Sequence, residues 1–279
     1  MNKEYIKREL IELNSWFIIF KKPDFYYKSI FFIIFPVFVF FTFLLFKDTG
    51  NLLKFDLTAL GKIWTYFTHS YFHNSLDHLI QNLQGYIILT ALLYVLYYKK
   101  NLLKLLKKAY LFIFFSMPFV TVLTNYLAYK LYLEKPFPPM SGSSDIVSAI
   151  IGLSFYSIII SLELRNKYDK SISFLLYFTP LLFVLYFEPI FLYALLIIFI
   201  PNYLWVLYKS IKDKFHFSNL IYFVFLFISV SVFTILIFPK EIISGGGVIN
   251  TISHLTGLLY GLFIGYMVVL KVHSDKKLS

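Results

Sequence analysis

The sequence predicts an all-α polytopic membrane protein with eight transmembrane helices in total. Hydrophobic residues make up 59% of the 279 residues and the mean hydropathy is +0.72, whereas soluble domains are about 45–50% apolar. The apolar residues form long runs between short charged clusters, and a spanning helix needs about 20 mostly apolar residues. Eight runs meet this requirement, at residues 29–46, 77–98, 109–131, 144–162, 171–187, 189–208, 217–238 and 248–270.

Polar segments separate these apolar runs and mark their boundaries. Residues 4–20 mix charge with Ile, Leu, Trp and Phe, which is typical of an amphipathic helix in the membrane interface. In FEP, Glu188 and Pro189 mark a turn between two short helices, since a single kinked helix would place the charged tail outside. The later runs are separated, in order, by KKNLLKLLKK, EKPFPPM, RNKYDK, FEP, YKSIKDKFH and SGGG.

Lysine and arginine set the orientation, since cytoplasmic loops of membrane proteins are enriched in them. With the N-terminus inside, 20 of the 26 Lys and Arg residues fall on the cytoplasmic side. The predicted layout is a cytoplasmic and interfacial segment 1–28, a single transmembrane domain 29–270 and a cytoplasmic tail 271–279, in the plasma membrane. The net charge of +11 therefore belongs to membrane loops and predicts no nucleic-acid partner. The absence of cysteine excludes a thiol nucleophile.

The second run is unusually polar at its start, where the sequence is WTYFTHSYFHNSLDHLIQNLQGY. Polar groups at membrane depth are costly, so each is a functional candidate. His78 and Asn82 are four residues apart and share one helix face. Three interpretations stay open: an interhelical hydrogen-bonded pair with His69 and His73 at the interface, a metal site with His-x3-His-x4-His spacing, or donors to a developing oxyanion.

The fourth run starts at SGSSDI, residues 141–146, where serine and aspartate are typical of a helix cap. Ser144, Ser148 and Gly152 recur every four residues and form a stripe of small residues on one helix face. The structural interpretation is a capped helix with a face for close packing. The functional interpretation needs a base beside Ser144, because a serine hydroxyl alone is a weak nucleophile.

The last run carries a residue that meets this need. Gly257, Gly261 and Gly265 follow His254 on one face of the predicted helix, and a glycine face lets another helix approach closely in lipid. Packing of the two small-residue faces would bring His254 to Ser144 and activate the serine. Both helices must then cross the membrane in the same direction, which requires an odd number of intervening spans. The eight-span prediction has three.

The segments HSYFHNSLDHLIQN, GSSD at residues 142–145 and HLTGLLYG at residues 254–261 occur in this order on suitably oriented helices. Together they resemble the rhomboid family of intramembrane serine proteases, whose motifs are a histidine-rich loop and helix, Gly-x-Ser-Gly and a final His-x-x-Gly-x-x-x-Gly. The resemblance implies a rhomboid-like core of six helices. Two further helices would then lie between the serine and histidine helices.

The resemblance also implies a Ser–His dyad, with Ser144 as nucleophile and His254 as general base, and no cofactor. His78 and Asn82, together with backbone N–H groups near Gly142, would stabilise the oxyanion. The implied substrate is a single-span membrane protein that enters from the lipid bilayer and is cut near the outer membrane face. Helix packing at the site is assigned to Gly257, Gly261, Ser148 and Gly152.

Three residues depart from the family pattern, and one of them is Thr65, which follows Trp64 where the family often has an arginine. Asp145 replaces the glycine after the nucleophile and is expected to act through the helix dipole. Ser148 stands where an aromatic residue often contacts the catalytic histidine. One alternative is a non-catalytic protein on the same scaffold that binds client transmembrane helices. The other is a metal-dependent membrane enzyme or transporter that uses His69, His73 and His78.

Overall fold

A computed structural model of the chain describes residues 18–46, 52–56, 61–132, 140–163, 243–244, 247–248 and 251–277. The prediction of an all-α architecture is confirmed for these residues. The helices are α1 (Pro23–Phe46), α2 (Thr65–Thr68), α3 (Leu76–Lys99), α4 (Leu103–Tyr132), α5 (Ser144–Glu163) and α6 (Thr251–Lys277), with a 3-10 turn at His69–Tyr71. Two short strands, β1 (Ile243–Ser244) and β2 (Gly247–Val248), pair antiparallel.

Five of the eight predicted spans coincide with long helices, and the predicted spans 171–187, 189–208 and 217–238 lie outside the described residues. Helix α4 begins at Leu103, earlier than the predicted span 109–131, and the bounds of α1 and α6 also differ from the prediction. Helix α1 begins at Pro23, inside the predicted segment 1–28, because proline and the following Asp24 suit the first turn of a helix. Helix α6 continues through most of the predicted tail 271–279, since charged residues end an apolar run without ending a helix.

Among the described residues, four helical stretches are long and apolar enough to cross a membrane. They are Pro23–Phe46, Leu76–Lys99, Leu103–Leu127 and Ile252–Val272. The apolar stretch of α5, Ser144–Ser157, is shorter. These lengths and compositions are compatible with a multi-pass membrane protein.

Helix α5 lies at the centre of the described bundle, packed against α3, α4 and α6. Its apolar side chains are buried all round the helix, including Ile146, Val147, Ile150 and Leu153, which is typical of a helix enclosed by neighbours. In the C-terminal half of α5, the Ser157 hydroxyl lies 3.0 Å from the Tyr97 hydroxyl of α3.

The helices are arranged so that α3, α5 and α6 run in one direction while α1 and α4 run in the other. Stacking of Phe35 on Tyr86 and on Phe114, each at 4.6 Å between ring centroids, joins α1 to α3 and α4. The N-termini of α3, α5 and α6 consequently meet at one end of the bundle. This end, which contains the 3-10 turn and Ser144, is called the polar end below.

Candidate active site

Helices α5 and α6 touch along the small residues that the sequence singles out. A β-carbon at Gly261 would lie 1.8 Å from the Ala149 carbonyl oxygen, and one at Gly152 would lie 2.2 Å from the Leu258 carbonyl oxygen. A β-carbon at Gly257 would also meet the backbone of α5, at 2.3 Å. Real β-carbons essentially never approach other atoms within 3.0 Å, so only glycine permits this separation of the two helices.

This close packing places Ser144 and His254 opposite each other. The Ser144 Oγ lies 2.8 Å from His254 Nε2, so the hydroxyl can donate a hydrogen bond to that nitrogen when it is unprotonated. Ser144 is half-buried and His254 is 8% exposed. The Ser148 hydroxyl donates to the Ser144 carbonyl oxygen at 2.7 Å. A serine bonded to an imidazole in this way can be activated as a nucleophile.

Gly142 brings the chain over His78 just before α5 begins. Its φ of +113° is a conformation that favours glycine, and a β-carbon there would lie 2.4 Å from His78 Cε1. The Gly142 N–H donates to the His69 carbonyl oxygen at 2.9 Å. The Ser75 hydroxyl caps α3 by accepting from the His78 N–H at 3.2 Å. The His78 imidazole is therefore held directly beneath the GSSD segment.

His73 links Asn82 to the same segment. It is fully buried, and its Nε2 accepts from the Ser143 backbone N–H at 3.2 Å and from Asn82 Nδ2 at 3.0 Å. Burial, with a smaller contribution from nearby His78, lowers the pKa of His73 to about 3, so the ring is neutral. An amide nitrogen carries two hydrogens, and Asn82 therefore keeps one for another acceptor.

Asp145 points away from His254, into a cluster formed by two other elements. Its Oδ2 accepts from the Ser70 hydroxyl at 2.8 Å and from the Thr121 hydroxyl at 2.9 Å. Its Oδ1 accepts from the Ile146 N–H at 2.7 Å. Asp145 lies at the helix start, as expected of an acid that acts through the helix dipole, and it also accepts from two hydroxyl donors, one in the 3-10 turn and one in α4. Asp145 therefore ties the start of α5 to its surroundings.

Further contacts fix the segments that surround the pair. Backbone bonds of 3.1 and 2.8 Å between Phe55 and Met140 hold the chain that leads into Gly142. On the other side, Asn125 Nδ2 donates to Ser253 Oγ at 2.9 Å and joins α4 to the first turn of α6. The segment that leads into α5 and the first turn of α6 are thus each held by a residue from outside these two helices.

The nine site residues predicted from the sequence lie together on α3, α5, α6 and the short segment before α5. They are Ser144, His254, His78, Asn82, Gly142, Gly257, Gly261, Ser148 and Gly152. The sequence did not assign His73 to the GSSD segment, gave Ser70 and Thr121 no role, and offered Ser143 only as one of the serines that could cap the helix. The available signal was the spacing of His69 and His73, which are four residues apart. Helical spacing would put both side chains on one helix face, but His69–Tyr71 is a 3-10 turn, so that placement is wrong.

The histidines proposed as metal ligands are engaged in other ways. His69 Nδ1 lies 3.0 Å from the Thr65 carbonyl oxygen and its Nε2 lies 3.1 Å from Ser70 Oγ. The rings of His73 and His78 meet edge to face, with centroids 5.1 Å apart. Within the described ranges, no group of three or more His, Cys, Asp or Glu residues is arranged to hold a metal ion.

No protein-family model matches this chain, and no curated protein is similar enough to count as a match.

Proposed function

We propose that this protein is a rhomboid-like intramembrane serine endopeptidase that cleaves single-span membrane proteins near the outer face of the plasma membrane. The observation that carries the proposal is the 2.8 Å approach of Ser144 Oγ to His254 Nε2, between two helices in glycine-mediated contact. The proposal includes eight membrane crossings, cytoplasmic termini and a six-helix rhomboid-like core with two further helices.

In the proposed reaction, Ser144 Oγ attacks the scissile carbonyl carbon as its proton passes to His254 Nε2. His254 returns this proton to the leaving amine when the C–N bond breaks, and the acyl group stays on Ser144. A water molecule then gives a proton to His254 and attacks the acyl carbon. The carboxylate product leaves and the Ser144 hydroxyl takes back its proton, so the dyad is restored.

The oxyanion formed in each attack needs hydrogen-bond donors in place beforehand. The proposed donors are His78, the second amide hydrogen of Asn82 and the Ser144 backbone N–H, because the Gly142 and Ser143 N–H groups donate to His69 and His73. The position of His78 under Gly142 and the bond from Asn82 to His73 support this assignment. Removal of one such donor typically lowers the rate by about 10²–10³.

The test is cleavage of a single-span reporter with small residues at its outer boundary, using purified protein in lipid. Ser144→Ala and His254→Ala are expected to abolish cleavage. The matched control is Ser154→Ala, which removes a hydroxyl from the same helix that bonds only the Ile150 carbonyl oxygen, at 2.8 Å; it should cleave normally. A chelator should have no effect.

Other outcomes would favour the alternatives. A wild-type protein that binds several reporters and cuts none would support the client-binding protein and overturn the protease. Loss of cleavage with chelator, restored by added metal, would support the metal-dependent enzyme.

A further inference from the structure

The Asp145 carboxylate is an unusual group to find beside a candidate nucleophile in a membrane protein. It is 2% exposed, and Ser70, Thr121 and His69 around it are equally buried. A carboxylate taken out of water is costly unless it is paired and hydrogen-bonded. Its contacts with side chains come from the uncharged hydroxyls of Ser70 and Thr121. Among the described residues, His69 is the group that this network connects to Asp145 and that can carry a compensating positive charge, on the far side of Ser70.

The hydrogen atoms of this cluster can be counted. His69 Nδ1 must donate to the Thr65 carbonyl oxygen, because that oxygen carries no hydrogen. Ser70 has one hydroxyl hydrogen but lies within hydrogen-bond distance of both His69 Nε2 and Asp145 Oδ2. If Ser70 donates to Asp145, Nε2 must be protonated for its contact with Ser70 to be a hydrogen bond. If Ser70 donates to His69, the Asp145 carboxyl group must carry the proton.

Both arrangements contain one proton more than a neutral histidine and an ionised carboxylate, and both leave the cluster with no net charge. Burial lowers the pKa of His69 and the nearby Asp145 acts in the opposite direction. The state without the shared proton, however, puts the Nε2 lone pair against the Ser70 oxygen and leaves a buried negative charge. We infer that His69 and Asp145 share one proton through Ser70, and that this shared proton holds the first turn of α5 where Ser144 meets His254. The positioning role rests on the proposed function, whereas the shared proton does not.

Asp145 is suited to position the residue before it. Its side chain points about 100° away from that of Ser144 around the helix, so it holds the turn without entering the reaction. It connects α5 to the 3-10 turn through Ser70 and to α4 through Thr121. The backbone of Asp145 also contacts α6, where a β-carbon at Gly257 would lie 2.3 Å from its carbonyl oxygen.

Among the described residues, other titratable groups at the polar end include the exposed Asp77 together with Tyr71, His73, His78 and His254. Burial, and to a smaller extent Asp145, raises the pKa of Tyr71, whose hydroxyl donates to the Phe114 carbonyl oxygen. The pKa of His73 is about 3. Neither group changes protonation near neutral pH. His78 and His254 are present in every variant compared below, so their contributions cancel in the differences.

The first experiment measures the unfolding equilibrium against pH in mild detergent, with Ser144→Ala as background to prevent self-cleavage. Unfolded histidine loses its proton near pH 6.5. Above that pH the shared proton should make the unfolding constant rise about tenfold per pH unit. Asp145→Asn should lack this slope, because an amide can donate to Ser70 and Thr121 while neutral His69 accepts from Ser70. Asp77→Asn, an exposed acid at the start of α3, is the matched control and should keep the slope.

The second experiment measures labelling of Ser144 by a fluorophosphonate probe against pH. The wild-type rate should fall at least tenfold at the alkaline pH where the shared proton is lost. Asp145→Asn should keep its rate there, whereas Asp145→Ala should label slowly at every pH. Asparagine has the size of aspartate and would also restore labelling if Asp145 only filled space, so the discriminating result is the loss of the alkaline decrease in Asp145→Asn.

Each outcome has a separate meaning. Parallel unfolding curves for the Asp145→Asn and control variants would overturn the shared proton. The predicted difference in unfolding without any labelling of Ser144 would leave the shared proton standing but overturn both the protease and the positioning role.

Discussion

The two ends of the helix bundle use polar residues in opposite ways. At the polar end, His73 and Ser143 are 0% exposed, and the polar groups bond mainly to one another. At the other end, which we call the lysine end, a cavity of about 610 Å³ is lined by Ile19, Lys22, Asp24, Lys28, Tyr98, Lys99, Asn101, Leu103 and Lys104. There, Lys28 and Asp24 form an ion pair of 2.7 Å with both side chains 51% exposed.

This difference indicates which end of the bundle determines the geometry of the candidate dyad. Buried polar groups leave a desolvated atom behind when a partner is removed, which costs about 1–3 kcal/mol. Exposed ion pairs are replaced by water at little cost. Changes at the polar end should therefore disturb both folding and the candidate dyad, whereas changes at the lysine end should disturb neither.

The largest effect is expected at the contact between α5 and α6. Gly261→Ala places a methyl group 1.8 Å from the Ala149 carbonyl oxygen, and backbone atoms cannot move aside without separating the helices. We expect a loss of about 3 kcal/mol in the free energy of unfolding and about a 100-fold loss of reporter cleavage.

The matched control is Gly61→Ala, where nothing lies within 4 Å of the added β-carbon. Equal stability of the two alanine variants would show that the glycine contact does not hold the helices together.

A smaller effect is expected where Gly142 passes over His78. Gly142→Ala forces a side chain into a φ of +113° and against the imidazole. Strain of this kind costs about 1–3 kcal/mol, and displacement of His78 should lower cleavage more than it lowers stability. The measurement is kcat for the reporter together with the unfolding midpoint. A stable variant with unchanged kcat would remove His78 from the proposed oxyanion site.

The dependence of stability on acid pH gives another test of the buried polar groups at the polar end. Folded His73 stays neutral down to a pKa of about 3, whereas the unfolded side chain binds a proton below its ordinary value of 6.5. The unfolded state therefore binds more protons between these limits, and stability falls as the pH falls from 6.5 toward 3. His73→Gln should cost about 1 kcal/mol at neutral pH and remove part of this acid dependence. Identical pH profiles for the two proteins would contradict the buried neutral histidine.

The smallest effect is expected at the lysine end. Lys28→Gln breaks the exposed ion pair with Asp24 and should change the free energy of unfolding by a few tenths of a kcal/mol at most. Reporter cleavage should be unchanged. A loss of more than about 1 kcal/mol, measured by unfolding at two salt concentrations, would show that the two ends do not differ as described.

The sequence was informative where one helix face carried the signal. The spacing of Ser144, Ser148 and Gly152 and of the glycines after His254 is a property of a single helix, and it predicted both the packing and the meeting of the two side chains. The described spans followed from apolar length alone. These features depend on local periodicity, which a sequence displays directly.

The rest depended on contacts between distant segments. His73 meets Ser143 because Phe72, with φ −102° and ψ 144°, is extended and redirects the chain after the 3-10 turn. Asp145 finds Ser70 and Thr121 at sequence separations of 75 and 24. No periodic pattern encodes such partners, and the same aspartate is equally suited to a simple helix cap.

The distance along the chain between Ser144 and His254, a separation of 110 residues, has a consequence for biosynthesis. At translation rates of about 5–20 residues per second, His254 follows Ser144 out of the ribosome after about 5–20 seconds. During that interval the small-residue face of α5 has no α6 to receive it, and the serine has no imidazole. If the proposed function holds, a nascent chain of this protein stays inactive until α6 is made, and the assembly of α5 with α6 is the step that completes the candidate dyad.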